Sequence, residues 1–483
     1  MAKDPSVAIP PEAKRVAVAV IVGLIAPILD TTIVTIAFDR LTTALDATVD
    51  QVQWVATGYL LALAVGVPLA GWAATRFGSR RAWRTGLSLF LIGSVLCALS
   101  WNVGALIAFR VVQGFGAGLL FPLMTSVLVQ ASGGRALGQL VAMVSLPTAL
   151  GPILGPVIGG VILHWLDWQW MFVVNVPVCI IALVLAGRVP DDRAEVGGAR
   201  TRLDLVGLAL LAPGLVGILL GLSNSHNGIV RTDVLVPLLA GLALLAVFSV
   251  RSIGRPRTTL VDVRVLAQRP VAASSVTLFF YSIASFGAML VLPLYLQQER
   301  GETVLAAALV LIPQGVGALL SRSIAGVLTD RFGARWVGVV GFGIVAVATV
   351  PFAVSDPQTN LVWLMVVLFV RGLGLGTLIS PLMASGFYGT SADDRNDISV
   401  VTRTFQQVGG SFGTAVIAVV LTAATTVTIG FRDAFWWSTG LAFAGAAVAL
   451  LLPTRPSAPV VRLNDATVTG SIPPDESPVS QQH

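Results

Sequence analysis

The chain has 483 residues, of which 55% are apolar and only 11% charged, and its mean hydropathy is +0.86. Such a composition excludes a soluble enzyme, a secreted disulfide scaffold and a nucleic-acid binder, and leaves room for a dozen or more membrane spans of about 20 apolar residues each. The net charge of +6 marks no nucleic-acid face, because the 30 basic residues are scattered between long apolar runs.

Cutting the chain at charges, prolines and glycine-rich turns predicts fourteen spans. They cover 16–38, 52–73, 82–100, 103–128, 136–163 and 169–187, a middle pair at 203–222 and 232–250, then 271–297, 304–328, 335–354, 360–387, 402–428 and 433–453. The first run follows Lys14 and Arg15 and has no small-residue cleavage site, so it reads as a retained span. With the N-terminus inside, twenty-three basic residues fall on inner segments and four (Arg40, Arg231, Arg300, Arg432) on outer ones, with Arg110, Arg322 and Arg371 within spans. Basic loops stay cytoplasmic, and one missed helix would invert every later loop, so this count predicts both termini in the cytoplasm.

The expected organisation is all-α and polytopic. It comprises a six-helix bundle at 1–200, an intervening transmembrane pair at 201–252, a second six-helix bundle at 253–455 and a disordered cytoplasmic tail at 456–483, rich in Pro, Ser, Thr and Gln. Two lysines against 28 arginines point to a GC-rich bacterial genome, hence a bacterial plasma membrane. Cys97 and Cys179 lie inside apolar runs and predict neither a disulfide nor a metal site.

An internal repeat runs through the chain. Gly71-Trp72-Ala73-Ala74-Thr75-Arg76-Phe77-Gly78-Ser79-Arg80 recurs as Gly326-Val327-Leu328-Thr329-Asp330-Arg331-Phe332-Gly333-Ala334-Arg335 at an offset of 255, with five identities in ten. Val111 to Gly118 recurs as Phe369 to Gly376 at an offset of 258. Two halves duplicated in parallel suit a carrier whose halves rock about a midplane site.

These loops, the Arg110 to Gly118 stretch and Gly151-Pro152-Ile153-Leu154-Gly155-Pro156-Val157-Ile158-Gly159-Gly160 resemble signature motifs of the major facilitator superfamily, the last being similar to its antiporter motif. Asp30-Thr31-Thr32-Ile33-Val34 and the stretch Trp168 to Pro177 resemble its fourteen-spanner drug and proton antiporters. The resemblance implies the superfamily fold, export, and drive by the proton gradient with no cofactor. Thr75 replaces the family's loop acid, Gln169 an arginine and Ala142 a glycine, so the loop's charge relay is implied for the second half alone.

Asp30 is the one acid in the body of a predicted span. A carboxylate in hydrocarbon costs several kcal/mol unless protonated or paired, so it reads either as a proton carrier or as a permanent ion pair that fixes two helices. Arg110 is the expected partner. At 1.5 Å per residue, Asp30 lies about 12 Å below the outer end of the first span and Arg110 about 10 Å below the outer start of the fourth.

Gln113 lies one turn deeper, and the repeat places Arg371 at its equivalent, as an attractor of anions or as a bond donor to neighbouring carbonyls. Gly151, Gly155 and Gly159 recur every four residues beside Pro152, Pro156 and Gly160, which predicts a close helix seam that also closes the outer ends of the halves. Arg76, Arg80, Asp330, Arg331 and Arg335 carry the positive-inside signal and the expected inner gate, with Arg403 as a candidate partner for Asp330. Trp54, Tyr59, Phe121, Met124, Phe279, Tyr281, Gln314, Phe405 and Gln406 are the pocket candidates: most aromatics in spans are packing or interface anchors, but as a set they fit a broad, mainly apolar cavity.

No phosphate-binding loop, catalytic triad or metal spacing accompanies the spans, so neither ATP drive nor an enzyme is indicated, and no metal or nucleic-acid partner. The reading is a proton-coupled exporter of hydrophobic or cationic small molecules, with protons and membrane lipid as its other partners. Its rivals are a dedicated exporter of one endogenous metabolite, antibiotic or lipid, and a non-transporting membrane sensor or scaffold.

Overall fold

The structure is a computed structural model that describes residues 11–132, 143–144, 155, 157–189, 204–224, 231–254, 261–356, 358–390 and 394–454. All regular structure among these residues is helical. Helices α1 (Pro11–Ile33), α2 (Phe38–Ala44), α3 (Val49–Phe77), α4 (Ser79–Ala98) and α5 (Val103–Ser132) open the chain. Helical residues 157–165 form α6, followed by α7 (Trp170–Val173) and α8 (Asn175–Leu185). Helices α9 (Leu205–Ser223) and α10 (Thr232–Gly254) make the intervening pair. The rest is α11 (Arg269–Leu294), α12 (Val304–Val354), α13 (Leu361–Ser385), α14 (Arg395–Ala423) and α15 (Val427–Ala449).

Among the described residues, eleven segments are long and apolar enough to cross a membrane. Helices α4 and α15 fall outside that set because Arg80, Arg81 and Arg84 occupy the start of one, and Arg432 and Asp433 the start of the other. The predicted span 169–187 is interrupted at Val174 into α7 and α8. The predicted span 136–163 is described only at its C-terminal part, in α6.

The repeat is visible in local geometry. Gly78 separates α3 from α4 at φ 87°, and Gly333, 255 residues later, breaks α12 at φ 81°. A side chain is strained in that left-handed region, so glycine sets both hairpins. Helix contacts repeat too. A Cβ on Gly116 would lie 2.8 Å from the Gly86 carbonyl oxygen, and one on Gly374 would lie 2.8 Å from that of Gly341. Gly114 meets the Tyr59 carbonyl and Gly372 that of Gln314 in the same way, so α5 and α13 approach their neighbours backbone to backbone. Lipid is as apolar as leucine, and close van der Waals packing of this kind is what holds spans together.

Each half has its own core, around Leu24, Trp83, Leu87 and Leu120 in the first and around Tyr295, Phe352, Phe431 and Phe435 in the second. Leu211 and Leu215 of α9 pack in one cluster with Leu63 and Val67 of α3 and Val400 and Val401 of α14, so the intervening pair touches both halves. Asp204 holds α9 to α10 through two 2.7 Å bonds from Arg251.

Candidate functional site

Five helices converge on one buried carboxylate. Asp30, near the end of α1, is 0% exposed, Arg110 on α5 is 1%, and Gln113 on α5 and Asn175 on α8 are buried beside them. Arg110 Nη1 pairs with Asp30 Oδ2. Asp30 Oδ1 accepts from Gln113 Nε2 at 3.1 Å and from Asn175 Nδ2 at 3.0 Å. Gln113 Nε2 also donates to Ser94 Oγ on α4 at 2.8 Å.

The guanidinium has neutral partners as well. Arg110 Nη1 donates to Gln113 Oε1 at 2.7 Å and Nε to the Val55 carbonyl on α3 at 3.1 Å. Its carbon lies 4.0 Å from the Tyr59 ring centroid, a favourable cation–π distance, and the Tyr59 hydroxyl donates to the Pro27 carbonyl at 3.4 Å. A buried ion pair is held only when its remaining donors and acceptors are satisfied. Here two amides complete the carboxylate, while a carbonyl, an amide oxygen and an aromatic face complete the arginine. Arg110 therefore keeps partners if Asp30 takes up a proton and loses its charge.

The glycine-rich stretch packs on the turn of α1 that carries Asp30. Gly155 faces Thr32 and the Leu29 carbonyl, and a Cβ on Gly159 would lie 2.9 Å from Ile33 Cγ1. Gly160 faces Leu305 of α12, so the same seam reaches the second half. Gly151, Pro152 and Pro156 lie outside the described residues.

In the second half the equivalent position is Arg371. It is buried, and donates from Nε to Thr349 Oγ1 at 3.1 Å, from Nη1 to Gln314 Oε1 at 2.9 Å and from Nη2 to the Ala284 carbonyl at 2.9 Å. The repeat relates Thr349 to Ser94 and Gln314 to Tyr59, so one frame carries two different polar clusters.

The predicted pocket residues separate by location. Tyr59 and Gln314 belong to the two polar clusters, and Trp54 is exposed near the start of α3. Phe279 meets Phe280 edge to face and Phe412 at a tilt inside the second half. Phe121 and Met124 pack against the first core, Phe405 beside α9, and Tyr281 against the core of α11, α12 and α13. Arg403 joins two candidates: it donates to Gln406 Oε1 at 2.8 Å, and its guanidinium lies 5.1 Å from the Phe121 ring centroid, bridging the two halves.

Among the loop arginines, Arg80 Nε donates to the Val189 carbonyl at 2.5 Å and Arg335 Nε to the Leu452 carbonyl at 2.8 Å. Each of these two bonds pins the end of the last helix of its own half. Arg76 and Arg331 are exposed, and the Asp330 side chain lies outside the described part. Asn175 and Ser94 were not singled out from sequence. The Trp168 to Pro177 stretch contained Asn175, but nothing in it marked that amide as a carboxylate ligand.

The family model for the Major Facilitator Superfamily matches residues 20–414. A multidrug resistance protein B homolog of Mycobacterium tuberculosis is 39% identical over 398 residues, covering 81% of this chain and 73% of that protein. A lincomycin resistance protein of Bacillus subtilis is 27% identical over 399 residues, 81% and 82% of the two chains. The crystal structure of a D-xylose-proton symporter is similar at a TM-score of 0.67 and 15% identity, across 91% of this chain and 98% of that one. At that identity the likeness concerns the fold. The matched stretch takes in both halves of the repeat and every residue of the Asp30 cluster: the chain belongs to the major facilitator superfamily.

Proposed function

We propose that this chain is a proton-coupled exporter of hydrophobic small molecules in a bacterial plasma membrane, working by alternating access. It crosses the membrane fourteen times with both termini in the cytoplasm, as bundles at 1–200 and 253–455 with the helix pair 201–252 between them. The observation that carries the reading is the buried Asp30–Arg110 pair, a carboxylate tied to α5 and α8 whose arginine keeps neutral partners without it.

While Asp30 is ionised, Arg110, Gln113 and Asn175 hold α1 against α5 and α8. A proton on Asp30 removes the charge attraction, and the guanidinium falls back on Gln113 Oε1, the Val55 carbonyl and the Tyr59 ring. The turn of α1 bearing Asp30 is then loosened. That turn lies under Gly155 and Gly159, and Gly160 of the same helix touches Leu305, so its movement changes the fit between the halves. Proton entry thereby biases which side the substrate cavity faces, and substrate exit completes the exchange.

The names of the multidrug and lincomycin resistance relatives support export as the direction. Efflux of a lipophilic dye and a neutral drug from inverted vesicles under an imposed pH gradient tests the reading. Asp30→Asn is expected to abolish gradient-driven transport with substrate binding retained; undiminished transport in that variant refutes it.

A further inference from the structure

Among the described residues, and with α12 divided at Gly333, four arginines lie about two turns or more inside a helical segment: Arg110, Arg322, Arg371 and Arg403. Arg110 is neutralised by Asp30, and Arg371 spends all three nitrogens on neutral acceptors of its own half. Arg403 differs from both. It makes one side-chain hydrogen bond, to the neutral Gln406, and rests on Phe121 across the boundary between the halves. No described carboxylate pairs with it.

Arg403 has company of its own sign. Arg322 of α12 and Arg403 of α14 both lie within electrostatic reach of Tyr281 on α11, whose hydroxyl is hydrogen-bonded with Ser285. All three side chains are partly exposed, as is Phe121. Around them Val400, Val401, Phe405 and Phe121 make the wall apolar. A guanidinium carries five donors in a fixed fork that matches a carboxylate, and a place with little water makes such a pairing strong. A cation in the same place meets the charge of Arg403, which no described carboxylate offsets.

We infer that the boundary between the halves at Arg403 binds amphiphiles through an acidic head group, with Arg403 taking the carboxylate or phenolate and Phe121 covering the apolar body. Beside the hydrophobic or cationic substrates expected from sequence, this site favours acidic ones, because Arg403 lies about two turns inside α14, which begins at Arg395. The assignment rests on the exporter reading for its physiological sense, but binding itself does not depend on it.

The test is equilibrium binding to the purified full chain in detergent, followed by fluorescence, of three probes that share one apolar body: pyrenebutyrate, pyrenebutyramide and pyrenebutyl trimethylammonium. The parent is expected to bind the acid at least about tenfold more tightly than the amide, and the cation most weakly. Arg403→Gln should erase the preference for the acid and keep amide binding; Arg403→Lys should keep part of it, since a point charge replaces the fork. Amide or cation binding as tight as the acid in the parent overturns the assignment, and so does an acid preference that survives Arg403→Gln. If Arg403→Gln binds none of the probes it has not folded, and the parent's ranking with Arg403→Lys decides. An acid preference without gradient-driven flux in proteoliposomes defeats the exporter reading and leaves the head-group assignment standing. Flux with the cation preferred does the reverse.

Discussion

The two halves use one polar frame for different ends. In the first, Asp30, Arg110, Gln113, Asn175 and Ser94 form a cluster whose charge can change by one proton. In the second, Arg371 sits at the position of Gln113 among Thr349, Gln314 and the Ala284 carbonyl, none of which changes charge. A duplicated scaffold has thus kept its backbone contacts, glycine for glycine, and diverged at a few side chains. On the proposed reading the change of charge belongs to the Asp30 cluster, while the Arg371 cluster offers fixed positive charge.

The comparison breaks most easily at the shared backbone contacts. Gly114→Leu and Gly372→Leu each drive a side chain into a carbonyl of the neighbouring helix, at Tyr59 and Gln314. Both are expected to abolish the folded protein, read as loss of the monodisperse peak in detergent chromatography; tolerance of one and not the other would show that the halves pack differently. Next in size is Arg110→Met, which leaves Asp30 buried without its cation and should cost about 3–5 kcal/mol in thermal unfolding. Adding Asp30→Asn should recover most of that loss, and its failure to do so would mean that Arg110 matters chiefly to Val55 and Tyr59.

Arg371→Gln sharpens the contrast, because it removes a charge that has no acid partner among the described residues. Three neutral acceptors lose donors, so a cost of about 1–3 kcal/mol is expected, with the pH dependence of transport unchanged. A shifted pH profile would place a proton site in the second half as well. The smallest effect is expected from Asp204→Asn, which loosens α9 from α10 at a partly exposed pair and should change stability by about 1 kcal/mol or less.

Much of this was legible in the sequence, for physical reasons. Lipid forces long apolar runs, so the segments could be cut from composition, and a fixed helical rise put Asp30 and Arg110 at one depth before their contact was seen. Rotation about the helix axis was not legible. In a soluble helix the polar face reveals it, but α5 and α8 are apolar nearly all round, so nothing told that Asn175 turns toward Asp30, 145 residues away. The facing of the glycine seam toward Thr32 and Ile33 was hidden for the same reason. The role of Arg403 was obscured by a boundary: the predicted span starts at 402, which makes Arg403 a partner for the inner loops, yet the helix begins at Arg395 and carries Arg403 about two turns inside.

Substrate counterflow compared with gradient-driven uptake, in the same proteoliposomes, tests the central claim that the charge on Asp30 couples the proton to the carrier's two facings. Counterflow needs the halves to alternate but needs no net proton movement. Asp30→Asn, fixed in the uncharged form, is predicted to keep counterflow near the parent rate and to lose gradient-driven accumulation altogether. Accumulation that persists in Asp30→Asn would contradict the account.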